Sequence, residues 1–376
     1  MLALPFAAAA SGAHSAAQSM AFLDTLSAKA CILIDGATGK KLFELNSGEK
    51  LPAAGLSRLA ALLVICDAFD SGEADKTMTV TISDEASSIG GTTAFLRPNE
   101  RISADKLLMA AVMINAGDAI HALACAAFGS ETAAIQRINA RLNGLGLEGG
   151  LGDICGRDRS FSAAELAAIG SELIKSETYS QFGTMYYELL AHEAAGDTEL
   201  ANPNKLIRQY SGCLGVGTGS SAEAGYCGVF AAKRGETVFI AAVLGAENSA
   251  DRFKAGTALL DHGFANFRSV RVGEPGDVYG SVAVRGALKN EVEAVSGGDT
   301  VLLIRTSSGK YTVEPLLPPF LTAPVDKTQP IGKLIVRDAQ GEVLEEAELF
   351  PAEDVEAAGF GGYMRWILLL FTGKIR

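Results

Sequence analysis

The stretch CLGVGTGSSAEAGYCGVFAAKRGETVFIAAVLG, Cys213–Gly245, decides the fold. It contains three runs of strand length, Cys213–Gly219, Ala224–Arg234 and Glu236–Gly245, split by turn residues. The Arg234–Gly235 pair marks a tight reversal between the last two. Strands joined by turns this short pair antiparallel. Downstream, Ser249–Phe267 carries helical spacing. Upstream, KACILIDGATGKKLFELN, Lys29–Asn46, predicts two short strands around a Gly36–Gly39 turn. Strands, then helices, then strands and a closing helix make an α+β fold, an antiparallel sheet flanked by helices.

The helices lie between the two sets of strands. Leu56–Phe69 is an apolar helix. In Arg101–Gly129, Ser103 is placed to cap a helix with Asp105 in its first turn, and the spacing breaks near Ala116–Gly117. Thr132–Leu145 and Ser162–Ser176 are further helices, the second opening with a Ser162/Glu165 capping box. From Arg268 the chain turns all-β, with short strands and Gly, Pro and Asp at the turns. That predicts a small all-β domain at residues 269–350, after a larger domain at 20–268.

At each end the composition changes. MLALPFAAAASGAHSAAQS is small, apolar and Ala-rich, and lacks a basic start. Residues 1–19 are read as a secretory leader cleaved near Ala13–Gln18, which predicts export to the cell envelope. Residues 351–376 are read as an amphipathic membrane-anchor segment ending in GGYMRWILLLFTGKIR, whose apolar run Trp366–Phe371 is far short of the roughly 20 residues that span a bilayer. With Lys374 and Arg376 beyond it, Tyr363–Arg376 reads as an amphipathic helix lying in the membrane interface. The alternative is a helix docked on its own domain or on another protomer.

Bulk composition narrows the function classes. Hydrophobic residues at 48% and charged residues at 20% supply packed cores rather than disorder. A formal net charge of −12 argues against a nucleic-acid partner, which needs cations facing phosphates. The six cysteines form no C-x-x-C pair, so no structural zinc site is expected. Cys213 and Cys227 flank the predicted hairpin, which leaves two readings, a disulfide or buried free thiols.

Several motifs come close and fail. GATGK at Gly36–Lys40 lacks the glycine spacing of a phosphate loop. GVGTGS at Gly215–Ser220 lacks the third glycine of a dinucleotide fingerprint, and a strand follows it rather than a helix. There is no G-x-S-x-G elbow. His121, His192 and His262 lie in helical contexts, His14 lies in the leader, and His192–Glu193 has no second histidine for zinc. No cofactor and no metal are predicted.

Four passages resemble the D-alanyl-D-alanine carboxypeptidase family of penicillin-binding proteins. They are ILIDGATGKKLFELNSGEKLPAA (Ile32–Ala54), ASSIGGTTAFLRPNE (Ala86–Glu100), TGSSAEAGYCGVFAAKR (Thr218–Arg234) and DRFKAGTALLDHGFANF (Asp251–Phe267). PIGKLIV at Pro330–Val336 resembles that family's C-terminal domain, and the tail resembles its membrane anchor. The resemblance implies a penicillin-binding, β-lactamase-like transpeptidase fold, no cofactor, and a D-Ala-D-Ala stem peptide of the cell wall as ligand.

It also implies three motifs. In S-x-x-K the serine attacks the peptide carbonyl and the lysine, one turn on, takes its proton. In S-x-N a second serine relays protons and the asparagine holds the substrate amide. In K-T-G the lysine supplies charge and the threonine contacts the substrate carboxylate. Here the first motif falls on Gly55 and Arg58, the second on Asn115, Ala116 and Gly117, the third on Gly217, Thr218 and Gly219. The intervals, 60 residues from 55 to 115 and 102 from 115 to 217, suit the family. Five polar positions are replaced, and Thr218 and Gly219 survive.

Glycine has no nucleophile. Removing the serine of a concerted site costs on the order of 10⁶ in kcat. Arg58 cannot act as a base, because a guanidinium does not give up its proton in proteins. Ser57, the substitute nucleophile to consider, lies roughly 200° round a helix from Gly55. The backbone amides of Gly55 and Ser220 correspond to the family's oxyanion donors, and with Arg58, Thr218 and Gly219 they predict an anion-binding cleft. The expectation is a pseudoenzyme that binds stem peptide or a protein partner without hydrolysis. The alternatives are an active carboxypeptidase using Ser57 and a purely structural envelope protein.

Overall fold

The computed structural model describes residues 26–193, 196–298, 300–359 and Met364. The leader read at residues 1–19 lies outside the described residues, as does Tyr363–Arg376 apart from Met364; residues 351–359 of the expected anchor helix are not helical, since Pro351 ends a strand and Val355 bridges Val325. The chain divides into two compact units, one ending at Gly263 and the other beginning at Phe264.

The first unit is built on a five-stranded antiparallel sheet. Its strands are β1 (Ala30–Asp35), β2 (Lys41–Leu45), β7 (Cys213–Ser221), β8 (Gly225–Arg234) and β9 (Thr237–Ala246), in the order β2-β1-β9-β8-β7. Two short hairpins stand apart, β3 (Thr79–Thr81) with β4 (Arg101–Ser103) and β5 (Tyr187–Leu190) with β6 (Thr198–Ala201). The longer helices are α1 (Leu59–Asp70), α2 (Ala104–Ile114), α3 (Gly117–Phe128), α4 (Glu131–Gly144), α5 (Ala163–Leu173) and α6 (Ser249–Asn266).

Strand alternation distributes the core to both faces of the sheet. Val229 of β8 and Ile240 of β9 pack against α5, where a Cβ on Gly170 would lie 2.8 Å from Val229 Cγ1. Their neighbours Phe230 and Phe239 point the other way, to Gly256 and Gly263 of α6. Every residue of β1 is buried, as its unbroken apolar run requires of a central strand. Helix α1 is apolar on all sides from Leu59 to Cys66 and correspondingly buried there, with Asp67 and Asp70 less buried at its C-terminal end.

Helix ends follow the sequence with two differences. The capping box at α5 is formed, with Ser162 N donating to Glu165 Oε2 (2.8 Å) and Glu165 N to Ser162 Oγ (3.2 Å). Ser103 takes the cap position of α2, yet its side chain makes no capping bond. The helix expected from Leu56 begins instead as a 3₁₀ turn, Ala54–Arg58, and becomes α-helical at Leu59. No side chain caps that turn, and tighter 3₁₀ bonds are the usual solution at such a start.

The disulfide reading is corrected. Cys227 stands opposite Gly219 and Cys213 opposite Ala232 across β7–β8. Five residues of strand separate the two rungs, about 16 Å, well past the roughly 7 Å limit for a disulfide. Both are buried free thiols.

After α6 the second unit is built mainly of β-strands, with a 3₁₀ turn at Thr306–Ser308. A six-stranded sheet runs β14 (Tyr311–Leu316), β16 (Gly332–Asp338), β17 (Val343–Pro351), β12 (Glu291–Ser296), β11 (Val278–Arg285), β15 (Phe320–Thr322). Strands β10 (Phe267–Gly273) and β13 (Thr300–Arg305) form a separate pair. Its cores are small, centred on Val292, on Val336 and on Leu334 with Leu349.

Candidate functional site

Three pieces of backbone meet at one end of β7. The 3₁₀ turn supplies Gly55 and Arg58, the break between α2 and α3 supplies Asn115, and β7 supplies Thr218, Gly219 and Ser220. Asn115 ends α2 in the left-handed region (φ 56°), a conformation asparagine tolerates better than most residues. From there its Nδ2 donates to Gly55 O, tying the break to the turn. On the other side the strand presses in: a Cβ on Gly219 would lie 2.9 Å from Gly55 N and 3.2 Å from Leu56 N. Only glycine permits that approach.

These residues line a cavity of about 200 Å³ together with Gly91, Thr92, Pro203 and Arg252. A larger cavity of about 460 Å³ shares Gly55, Arg58, Gly91 and Ser220 with it, and adds Ser57, Gly156–Ser160 and Glu223. The positions named from sequence thus gather at one cleft, with two exceptions. Gly117 lies behind the Arg58 guanidinium, and its N–H donates to Thr92 O. A Cβ on Gly217 would meet Leu56 and Leu59, each at 3.6 Å, so that position faces apolar side chains.

Arg58 is buried, and its fork is spent on the protein. Nη1 donates to Thr92 O (2.9 Å) and Asn115 O (3.0 Å), and Nη2 to Gly90 O (2.7 Å). The cation is matched by carbonyl dipoles from two segments of the cleft wall. Ser57 borders the larger cavity, but its hydroxyl is shared between Cys155 O (2.6 Å) and Ala54 O (3.1 Å). The Cys155 thiol is pushed up by burial, against a smaller lowering by Arg58. Among the described residues, no histidine lines either cavity. His192 bridges Glu100 Oε1 (2.7 Å) and Thr198 Oγ1 (2.8 Å), and His121 lies near Glu131 and Cys125 at 3.8 Å.

Two charged residues were not singled out from the sequence. Arg252 of α6 is buried and lines the smaller cavity. Its Nη1 donates to Gly219 O (3.2 Å) and Cys227 O (3.3 Å), its Nη2 to Ser249 Oγ (3.3 Å), and its guanidinium lies 4.6 Å from the centre of the Phe253 ring. Among the described residues it has no carboxylate partner, and burial lowers its pKa. Asp118 is buried one residue past Gly117, where it accepts from Ala94 N, Leu96 N and Ala119 N. An arginine inside a helical run and an aspartate in a first turn look ordinary in sequence. Only the fold shows what they face.

Residues 14–248 match the family described as D-alanyl-D-alanine carboxypeptidase, and residues 267–357 match penicillin-binding protein 5, C-terminal domain. The chain is 29% identical over 347 residues to D-alanyl-D-alanine carboxypeptidase DacF of Bacillus subtilis (strain 168), across 90% of this chain and 88% of that protein. It is 29% identical over 356 residues to D-alanyl-D-alanine carboxypeptidase DacC of Escherichia coli (strain K12), across 90% and 86%. The crystal structure of penicillin binding protein 5 from Haemophilus influenzae superposes with a TM-score of 0.78 at 25% identity, over 88% of this chain and 98% of that one. The likeness therefore runs through both units rather than resting on one.

Proposed function

The chain belongs to the D-alanyl-D-alanine carboxypeptidase family of peptidoglycan metabolism, and from that premise we propose that it binds without cutting. On this reading it holds a peptide ending in D-Ala-D-Ala and leaves the terminal bond intact. One observation carries the proposal. The family's nucleophile aligns with Gly55, and the substitute considered, the Ser57 hydroxyl, is turned onto two backbone carbonyls beside an arginine that cannot accept a proton.

Binding is supported by what the cleft keeps. Thr218, Gly55, Ser220 and Arg252 line the smaller cavity, the first three at positions where the family binds its ligand. Arg252 has no acidic partner among the described residues and its Nε has no hydrogen-bond partner there, which leaves it donor capacity for a carboxylate. In this proposal Arg252 takes the anion-holding role that the sequence assigned to Arg58, whose donors are engaged with Gly90, Thr92 and Asn115. The compositions of residues 1–19 and 363–376 support an exported protein attached to the outer face of the cytoplasmic membrane.

Two measurements test the reading. A labelled penicillin should leave no covalent adduct on this protein. The chain carrying Gly55→Ser, Arg58→Lys, Asn115→Ser, Gly117→Asn and Gly217→Lys serves as the comparison. A stoichiometric adduct mapped to Ser57 would establish a displaced nucleophile instead. A D-Ala-D-Ala peptide at ten times its Kd should stabilise the fold by about 1.4 kcal/mol. A melting curve unmoved at millimolar peptide would favour a purely structural role.

A further inference from the structure

Gly117 opens α3 outside the left-handed region, so its backbone does not demand glycine. Its surroundings do. A Cβ there would fall 2.6 Å from Arg58 Cζ, 2.8 Å from Arg58 Nη2 and 2.7 Å from Ile89 Cγ2. Carbon atoms in contact sit at about 3.5–4.0 Å. The guanidinium therefore occupies the space a side chain at 117 would need. It is also the grip on the cleft wall, since Gly90 O, Thr92 O and Asn115 O all accept from it. Beyond Thr92 the same loop is held by Asp118, through the amides of Ala94 and Leu96. A buried cation thus grips the loop's carbonyls and a buried anion grips its amides.

We propose that Arg58 and Gly117 are one interdependent replacement. Arg58 is a positioning residue that fixes the 90–92 wall of the cleft, and it fits only because residue 117 has no side chain. A lysine at 58 presents one compact ammonium in place of a planar fork, and cannot occupy both the Nη1 position on Thr92 O and Asn115 O and the Nη2 position on Gly90 O. A side chain at 117 displaces the fork. Steps back toward the family's motif, taken singly, should each damage the fold. The inference deepens the binding proposal by naming what holds one wall of that cleft, but its test involves no ligand.

The experiment is a double-mutant cycle on the full chain, with Arg58→Lys, Gly117→Ala and the pair, read by thermal unfolding and amide exchange. Glycine to alanine in a helix is ordinarily stabilising. Here Gly117→Ala should lower the melting temperature by several degrees, and should cost less than half as much in the Arg58→Lys background. An equal cost in both backgrounds would assign the clash to Ile89 alone and overturn the coupling. Arg58→Lys should also speed exchange of the Ala94 and Gly117 amides at least tenfold, with the β8 amides unchanged. Unaltered loop protection would remove Arg58 from its positioning role, and this arm decides the matter even if Gly117→Ala does not fold.

Discussion

A charged side chain buried without a counter-ion is costly, so what Arg252 faces matters more than its place in any motif. If it receives a terminal carboxylate, Arg252→Gln should weaken a D-Ala-D-Ala peptide about tenfold or more, the worth of a hydrogen bond to a charged group. The wild type should favour the free acid over the C-terminal amide, and the variant should lose that preference, as titration calorimetry with both peptides can read. A variant that still discriminates acid from amide would take the carboxylate away from Arg252. Gly219 makes a second case. Its would-be Cβ meets backbone nitrogens of Gly55 and Leu56, which cannot swing aside. Gly219→Ala should therefore cost about 1–3 kcal/mol in urea unfolding, and a cost near zero would show that the turn yields. The fold brings Gly55 and Asn115, placed by their interval in sequence, to one cleft, whereas Gly217 faces Leu56 and Leu59. Arg252 was not legible in the sequence, because nothing local marks it. The bonds of Arg58 and Ser57 were not either, since their acceptors are carbonyls brought near by folding.

Among the elements, periodicity and turn chemistry carried most of the fold. The β7–β8–β9 meander and the capping box of α5 could both be read, because each depends on residues close in sequence. The start of α1 could not, since an uncapped end settles its backbone groups by whatever the surrounding packing allows. The other end of α1 shows the same dependence on distant partners. Asp70 accepts from Ser176 Oγ (2.6 Å), Thr178 N (2.8 Å) and Thr178 Oγ1 (2.5 Å). Partial burial raises its carboxyl, and the bonds from Ser176 and Thr178 outweigh that and hold it below the ordinary aspartate value. Glu172 is likewise raised by partial burial and lowered further by Lys175 and Arg141. The sign follows: a carboxyl lowered on folding contributes stability above its unfolded pKa of about 4, and loses it as pH falls through the folded value. Denaturant midpoints should therefore fall below about pH 4. Asp70→Asn should cost about 1 kcal/mol at neutral pH, a modest figure for an exposed residue, and should flatten the acid limb. An acid limb as steep as the wild type's would place the titrating group elsewhere.

For the whole molecule, charge and membrane attachment have to be reconciled. A chain of net charge −12 is repelled by an anionic lipid surface. Within the tail, Arg365, Lys374 and Arg376 offset little of that. On the proposed reading, attachment rests on burying Trp366–Phe371 in the interface, at roughly 25 cal/mol per Å² of apolar surface. Salt then acts opposite to its effect on a basic peripheral protein. It screens the repulsion over a Debye length of about 10 Å at 0.1 M and leaves the apolar contribution in place. Binding to phosphatidylglycerol-containing vesicles should hold or rise between about 0.05 and 0.5 M sodium chloride, and deletion of Tyr363–Arg376 should abolish it. Co-sedimentation of the full and truncated chains across that range reads both. Binding that fades with salt would point to a basic patch instead. Binding that survives the deletion would move the membrane contact to another part of the chain, and the tail would then be a helix docked on protein.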